Sequence, residues 1–120
     1  MKKFYVIGSK ASNSLSPIIF NYWFNKYKIK ATYKYLQLNN NNFDLKIKET
    51  LKDKDLVGLN ITIPFKQKII KHIDSLNKHS RQINAVNCLT VRSKIIGTNT
   101  DWMGYFKTLP KNESLKKKIS

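Results

Sequence analysis

Between residues 2 and 109 the apolar side chains switch repeatedly from alternation by twos to repeats near four, and this switching is the tightest restriction on what the chain can become. "KKFYVIG" alternates as a strand ending at Gly8. "SLSPIIFNYWFNKY" follows as a helix, with Ser16 as N-cap, Pro17 at the first helical position, and Ile19, Trp23 and Tyr27 at a spacing of four. "ATYKYLQL" alternates again, "NNNN" is a solvated turn, and "FDLKIKETLK" has helical spacing at Leu45, Ile47 and Leu51. "LVGLNITI" is the next strand, ended by Pro64. "FKQKIIKHI" then turns helical with Phe65, Ile69 and Ile73 on one face. A short polar helix around "SLNKHSRQ" precedes two strands, "AVNCLTV" and "KIIGT", and "DWMGYFKTL" reads as a helix begun by Asp101. Alternation of this kind implies an α/β fold, a three-layer α/β/α sandwich around a mostly parallel sheet of five or six strands. The two-residue "RS" link predicts one antiparallel hairpin in that sheet.

A chain of 120 residues with 41% hydrophobic side chains can bury a core as one domain. No apolar run approaches the ~18 residues a membrane span needs, and "FYVIG" is too short for a signal peptide, so a cytoplasmic protein with no membrane partner is expected. The single cysteine, Cys88, cannot form an internal disulfide and has no ligand cluster, which points away from a metal site and toward a small buried residue. The net charge of +16 invites a nucleic-acid reading. Only Arg81 and Arg92 are arginines, however, and the lysines are spread along the chain. Richness in Lys, Asn, Ile, Tyr and Phe matches an AT-rich coding bias better than a recognition surface. No nucleic-acid partner is therefore expected, and a cationic, non-catalytic binding module remains the alternative from a different class.

Ligands of α/β sheets bind where strands end and helices begin, and the unusual residues gather there. "SLSP" offers the Ser14 and Ser16 hydroxyls at a helix start, a seat for a carboxylate or phosphate, although Ser16 could simply cap. Asn60 and Thr62 are two apart and share one face of a strand, opposite Leu59, Ile61 and Ile63. A buried amide or hydroxyl without a partner costs ~1–3 kcal/mol, so each must pair with neighbouring backbone or with a ligand. Lys66 opens the segment after that strand, and at the rim of a cleft its ammonium would suit proton transfer; a solvated lysine is the plainer account. Asn87 lies in the fourth strand, and "GTNTD" puts Asn99, Thr100 and Asp101 before a helix, as cap or as partner to Lys66. His72 and His79 sit on presumed solvated helices with no evident partner.

Taken in order, "VIGSKASNSLSPIIFN", "GLNITIPFKQ", "INAVNCLTV" and "GTNTDWMGY" resemble the N-terminal, substrate-binding half of the shikimate dehydrogenases, along nearly the whole chain. That resemblance implies an amino-acid-dehydrogenase-like N-terminal domain acting on a small-molecule substrate. The implied reaction is the NADPH-dependent, reversible reduction of 3-dehydroshikimate to shikimate, in aromatic amino acid biosynthesis. By matching position, Ser14 and Ser16 would hold the substrate carboxylate, and Asn60 and Thr62 would wall the ring. Asn87 would bind ring hydroxyls, and Lys66 and Asp101 would be the catalytic pair, both touching substrate. A quinate/shikimate dehydrogenase shares these motifs. The sequence departs from the family pattern at Lys10, Asn13, Phe20 and Cys88, and at Asn84, where glycine is typical and where asparagine tolerates a left-handed turn better than most residues.

No G-x-G-x-x-G loop occurs in the chain, so NADP would be bound mainly by a domain absent from it. The expected organisation is a substrate-binding domain over 1–110, then 111–120 as a linker and the start of that absent nucleotide-binding domain. The fragment alone is expected to be inactive.

Overall fold

The computed structural model describes residues 1–100. Within them lie strands β1 (Lys2–Gly8), β2 (Ala31–Gln37), β3 (Leu56–Ile61), β4 (Ser75–Leu76), β5 (Cys88–Val91) and β6 (Ile95–Thr98). Helices α1 (Ser16–Lys26), α2 (Phe43–Leu51) and α3 (Lys78–Ile83) connect them. The strands form one six-stranded sheet in the order β2-β1-β3-β5-β6-β4. β1 runs parallel to both β2 and β3, β4 is parallel to β6, and β5 is antiparallel to β3 and β6. The sheet is thus mixed, and the expected hairpin is β5–β6. The helix expected from Asp101 onward, and the linker over 111–120, lie outside the described residues.

β1 organises the two faces because its side chains alternate. Ile7, with Tyr5 partly buried beside it, joins Phe43 and Ile47 of α2 and Leu59, Ile61, Phe65, Ile69, Val86 and Leu89 in the main core. Val6 packs on the other face with Ala11 and Tyr33, against Phe4 and Phe24. The Phe43 and Phe65 rings stack at 4.3 Å, tying α2 to the segment after β3.

Three local expectations change. α1 buries none of its residues, and Trp23 and Tyr27, expected on its inner stripe, are 48% and 65% exposed. The helix instead meets the sheet through Phe20, which stacks on Tyr33 at 4.9 Å, through Phe24, and through Asn21. The Asn21 amide accepts from the Tyr33 N–H (2.9 Å) and donates to the Tyr33 carbonyl (2.7 Å), so one side chain occupies both polar groups of an edge-strand residue. Ile63 is 72% exposed, because β3 ends at Ile61 and the chain leaves the sheet before it. After Pro64 the chain makes a turn and a 3-10 helix at Lys68–His72 rather than an α-helix, though Phe65 and Ile69 are buried as expected.

Asn84 closes α3 in the left-handed region (φ 59°, ψ 41°), which is what an asparagine in a glycine position permits. At the other end of α3, the Asn77 side chain accepts from the Ser80 N–H at 2.9 Å.

The core assignment makes a contrast that urea unfolding of the chain can read. Phe43→Ala should cost about 3–5 kcal/mol, since a wholly buried, stacked ring leaves a cavity. Trp23→Ala should cost less than about 1 kcal/mol, because half of that side chain is already in water.

Candidate functional site

From β1 the chain crosses through α1 to β2 on one side, then through α2 to β3 on the other side of β1. Strand order therefore reverses at β1, and the carboxyl ends of β1 and β3 bound the crevice where an open α/β sheet receives a ligand. Because β5 is antiparallel to β3, its first residue, Cys88, pairs with Asn60, and the last residue of β6, Thr98, pairs with Cys88. One sheet edge thus gathers the exits of β1, β3 and β6 and the entry to β5.

Six residues singled out in the sequence fall at that edge: Ser14 and Ser16 after β1, Asn60, Thr62 and Lys66 at and beyond the end of β3, and Asn87 before β5. Backbone bonds hold the loops together there. Thr62 N–H donates to Ile7 O (2.8 Å), Ser9 N–H to Ile63 O (3.2 Å), Ile61 N–H to Asn87 O (2.8 Å) and Val86 N–H to Lys66 O (2.8 Å). Gly8 is required at this crossing, because a Cβ on it would overlap Thr62 Cγ2. Asp101, expected to partner Lys66, lies outside the described residues.

The serines exchange their expected local roles. Helix α1 includes Ser16, its N-cap is Leu15 with no side-chain cap bond, and Ser14 Oγ accepts from the Ser16 N–H at 3.2 Å. With Ser14 meeting the orphan donor of the first turn, Ser16 is not the cap. Asn60 is exposed rather than covered, because α1 lies over β1 and β2 and leaves that face of β3 open. Its Oδ1 accepts from the Tyr33 hydroxyl at 2.6 Å, a side-chain partner rather than neighbouring backbone. Burial pushes the Tyr33 hydroxyl up to about 12, with the Ser16 hydrogen bond pulling the other way.

The Asn87 side chain accepts from Thr100 N–H (2.9 Å) and donates to Thr100 Oγ1 (3.0 Å), fixing the chain immediately before Asp101. Asn99 is buried, and its amide donates to Ala85 O at 3.1 Å, a structural role. Lys66 is half-buried in the turn after Pro64, ahead of a 3-10 helix, so it does not open an α-helix as the sequence suggested.

Beside these groups, Phe4, Phe20, Phe24, Gly58, Cys88 and Thr90 help to line an apolar hollow of about 350 Å³. Its ringed walls do not suit a charged acid, which belongs at the polar edge. Cys88, expected to be buried, is only half-buried there. Among the described residues no cluster of three or more His, Cys, Asp or Glu could hold a metal, and no helix is long and apolar enough to cross a membrane.

His72 has a partner that the sequence did not suggest. Its Nε2 lies 2.9 Å from Asp44 Oδ1, with the side chain 8% exposed, and Lys71 Nζ reaches the other Asp44 oxygen at 2.9 Å. This clasp ties α2 to the segment that carries Lys66.

The fold and its edge define an α/β domain with two serine hydroxyls and a lysine amine at a topological switch point. The sequence model described as the shikimate dehydrogenase substrate binding domain matches residues 6–89, and the chain belongs to that family. It is 43% identical over 113 residues to a shikimate dehydrogenase (NADP(+)) of Pelagibacter ubique, covering 93% of this chain and 42% of that protein. Among solved structures, shikimate dehydrogenase from Aquifex aeolicus superposes with a TM-score of 0.82 at 33% identity, over 91% of this chain and 41% of that one. A Thermus thermophilus shikimate 5-dehydrogenase solved with shikimate gives 0.80 at 25% identity, over 89% of this chain and 41% of that one. The chain therefore spans about two fifths of the length of the relatives it matches.

The His72 and Lys71 bonds, in that order, hold the Asp44 carboxyl at about 2, below its ordinary 3.8. A depressed carboxyl stabilises the fold above its unfolded value and loses that contribution as pH falls through the folded one. Stability measured by urea unfolding should thus decline between about pH 4 and pH 2, and Asp44→Asn should flatten that part of the profile.

Proposed function

We propose that this chain is the substrate-binding and proton-handling part of an NADP-dependent shikimate dehydrogenase, which reversibly reduces 3-dehydroshikimate to shikimate. The observation that carries the reading is the gathering of Ser14, Ser16, Asn60, Thr62, Lys66 and Asn87 at one switch point of a chain that belongs to this family. A cyclic acid bearing hydroxyls needs one anion seat and several neutral donors and acceptors. Two serines, a threonine and two asparagines supply them. The Thermus relative solved with shikimate supports the same substrate class. A cytoplasmic location is part of the same reading, as is the division into a substrate-binding domain over 1–110 and a linker over 111–120.

In this proposal Ser14 and Ser16 bind the carboxylate, while Thr62, Asn60 and Asn87 orient the ring. The Lys66 ammonium stands against the ring oxygen that gains negative charge on reduction, stabilises it, and then gives up a proton to it. Asp101 would orient the amine and bond a ring hydroxyl. Nothing among the described residues fits a dinucleotide's pyrophosphate. Gly8 is packed beneath Thr62, Gly58 lies against the Phe4 ring and Leu89 O, and Gly97 against Ile73, Val86 and Leu76, so each glycine there serves packing rather than a phosphate cradle. The cofactor would be held by residues beyond these, as the greater length of the relatives allows.

In the full-length protein, Lys66→Ala should lower kcat by about 10²–10⁴ while KM for shikimate moves less than about threefold. Near-normal turnover would remove Lys66 from the chemistry. A quinate/shikimate dehydrogenase is the nearest alternative, and comparable kcat/KM on quinate in the same assay would favour it.

A further inference from the structure

The segment over residues 85–87, just before β5, holds the main chain at Lys66 on one side and the main chain leading to Asp101 on the other. Val86 N–H donates to the Lys66 carbonyl at 2.8 Å. Four further bonds lace residues 98–100 to the same segment. Asn87 N–H donates to Thr98 O (3.1 Å) and the Asn99 amide to Ala85 O (3.1 Å). Thr100 N–H donates to Asn87 Oδ1 (2.9 Å), and the Asn87 amide donates to Thr100 Oγ1 (3.0 Å). We propose, on the reading of this edge as a shikimate site, that Thr100 is a positioning residue: its N–H and hydroxyl together orient the Asn87 amide and hold the main chain from which Asp101 departs, keeping Asp101 in a fixed relation to Lys66.

The two bonds between Asn87 and Thr100 do different work. An amide oxygen only accepts and an amide nitrogen only donates. A backbone N–H cannot reverse its role, so Thr100 N–H claims Oδ1, and the flipped amide would set donor against donor. That places the amide nitrogen beside the Thr100 hydroxyl, which accepts from it. Any residue at position 100 other than proline supplies the N–H. The hydroxyl is what threonine adds, and with it the amide is gripped at two points instead of one.

The anchor is rigid, whereas the residue it holds is not. Asn87 is fixed through its own backbone, because Ile61 N–H at the end of β3 donates to its carbonyl at 2.8 Å while its N–H is held by Thr98 O. Thr100 is exposed and lies beyond the last residue of β6, so the ladder no longer holds it. Near reacting groups such a tether counts, since a misplacement of about 1 Å can cost on the order of 10²-fold in rate.

The test compares wild type, T100V, T100S, D101N and T100V/D101N of the full-length protein, with shikimate as substrate. Valine keeps the shape and N–H of threonine without the acceptor oxygen, and serine keeps the oxygen. T100V should lower kcat about tenfold with KM for shikimate within about threefold of wild type. T100S should stay within about twofold of wild type in both. T100V should add less than about twofold to D101N, because it acts through Asp101. Both single variants should melt within a few degrees of wild type, as an exposed position allows. Wild-type kcat in T100V, a T100S as slow as T100V, full additivity with D101N, or a loss of kcat that only tracks a lowered melting temperature would overturn the proposal and leave the shikimate reading standing. A D101N variant as fast as wild type would remove the catalytic pair, and this proposal with it. A wild-type protein that does not turn over shikimate would overturn the shikimate reading itself.

Discussion

The parallel pairing of β1 with β3 is the constraint on which the rest depends. β1 carries a core on each face, Val6 toward Ala11 and Tyr33 and Ile7 toward α2, so it must be central, with strands on both sides. A parallel neighbour on each side forces crossovers in opposite directions, and the two loops leaving β1 and β3 then diverge over a crevice. The pairing continues past the last regular residue, through Thr62 N–H to Ile7 O and Ser9 N–H to Ile63 O. Only a glycine at position 8 allows Thr62 to close over β1 at that distance. One local absence of a side chain thereby sets where the Thr62 hydroxyl can stand.

Burial is unequal on the two faces, and the site benefits from the inequality. The α2 face is filled by apolar side chains with little access to water. On the other face, α1 covers β1 and β2, and among the described residues Asn60 and Cys88 are exposed and half-exposed at the edge of an apolar hollow. A fully covered strand would have had to bury Asn60 at a cost of several kcal/mol or replace it with an aliphatic residue. The exposed Asn60 instead needs one partner to fix its amide, and Tyr33 is that partner.

Much of this was legible in the sequence because period and turn chemistry are local. Five of the six strands, the β5–β6 hairpin, the inward Leu59 and Ile61, and the left-handed Asn84 follow from residues within a few positions of one another, whereas β4 (Ser75–Leu76) stands where the sequence reads as the start of a polar helix and exists only by pairing with β6. The failures share a different cause. A spacing of four at Ile19, Trp23 and Tyr27 defines a helix but not which side meets the sheet, and the neighbouring Phe20 and Asn21 won that contact by stacking on and bonding Tyr33. Ser16 looked like a cap because serine before proline usually is one, yet Ser14 took the bond. His72 showed no partner because Asp44 is 28 residues away.

The sequence by itself determined the α/β alternation, the motif residues that crowd the strand ends, and the family to which they correspond. Tertiary structure alone decided which of those residues meet: that Asn60 is held by Tyr33 across 27 positions, that Asn87 locks Thr100, and that Asp44 clasps Lys71 and His72. The physical reason is range. Backbone preference and hydrophobic period act over a few residues, whereas a hydrogen bond between distant side chains exists only once strand order and register have brought both to the same edge.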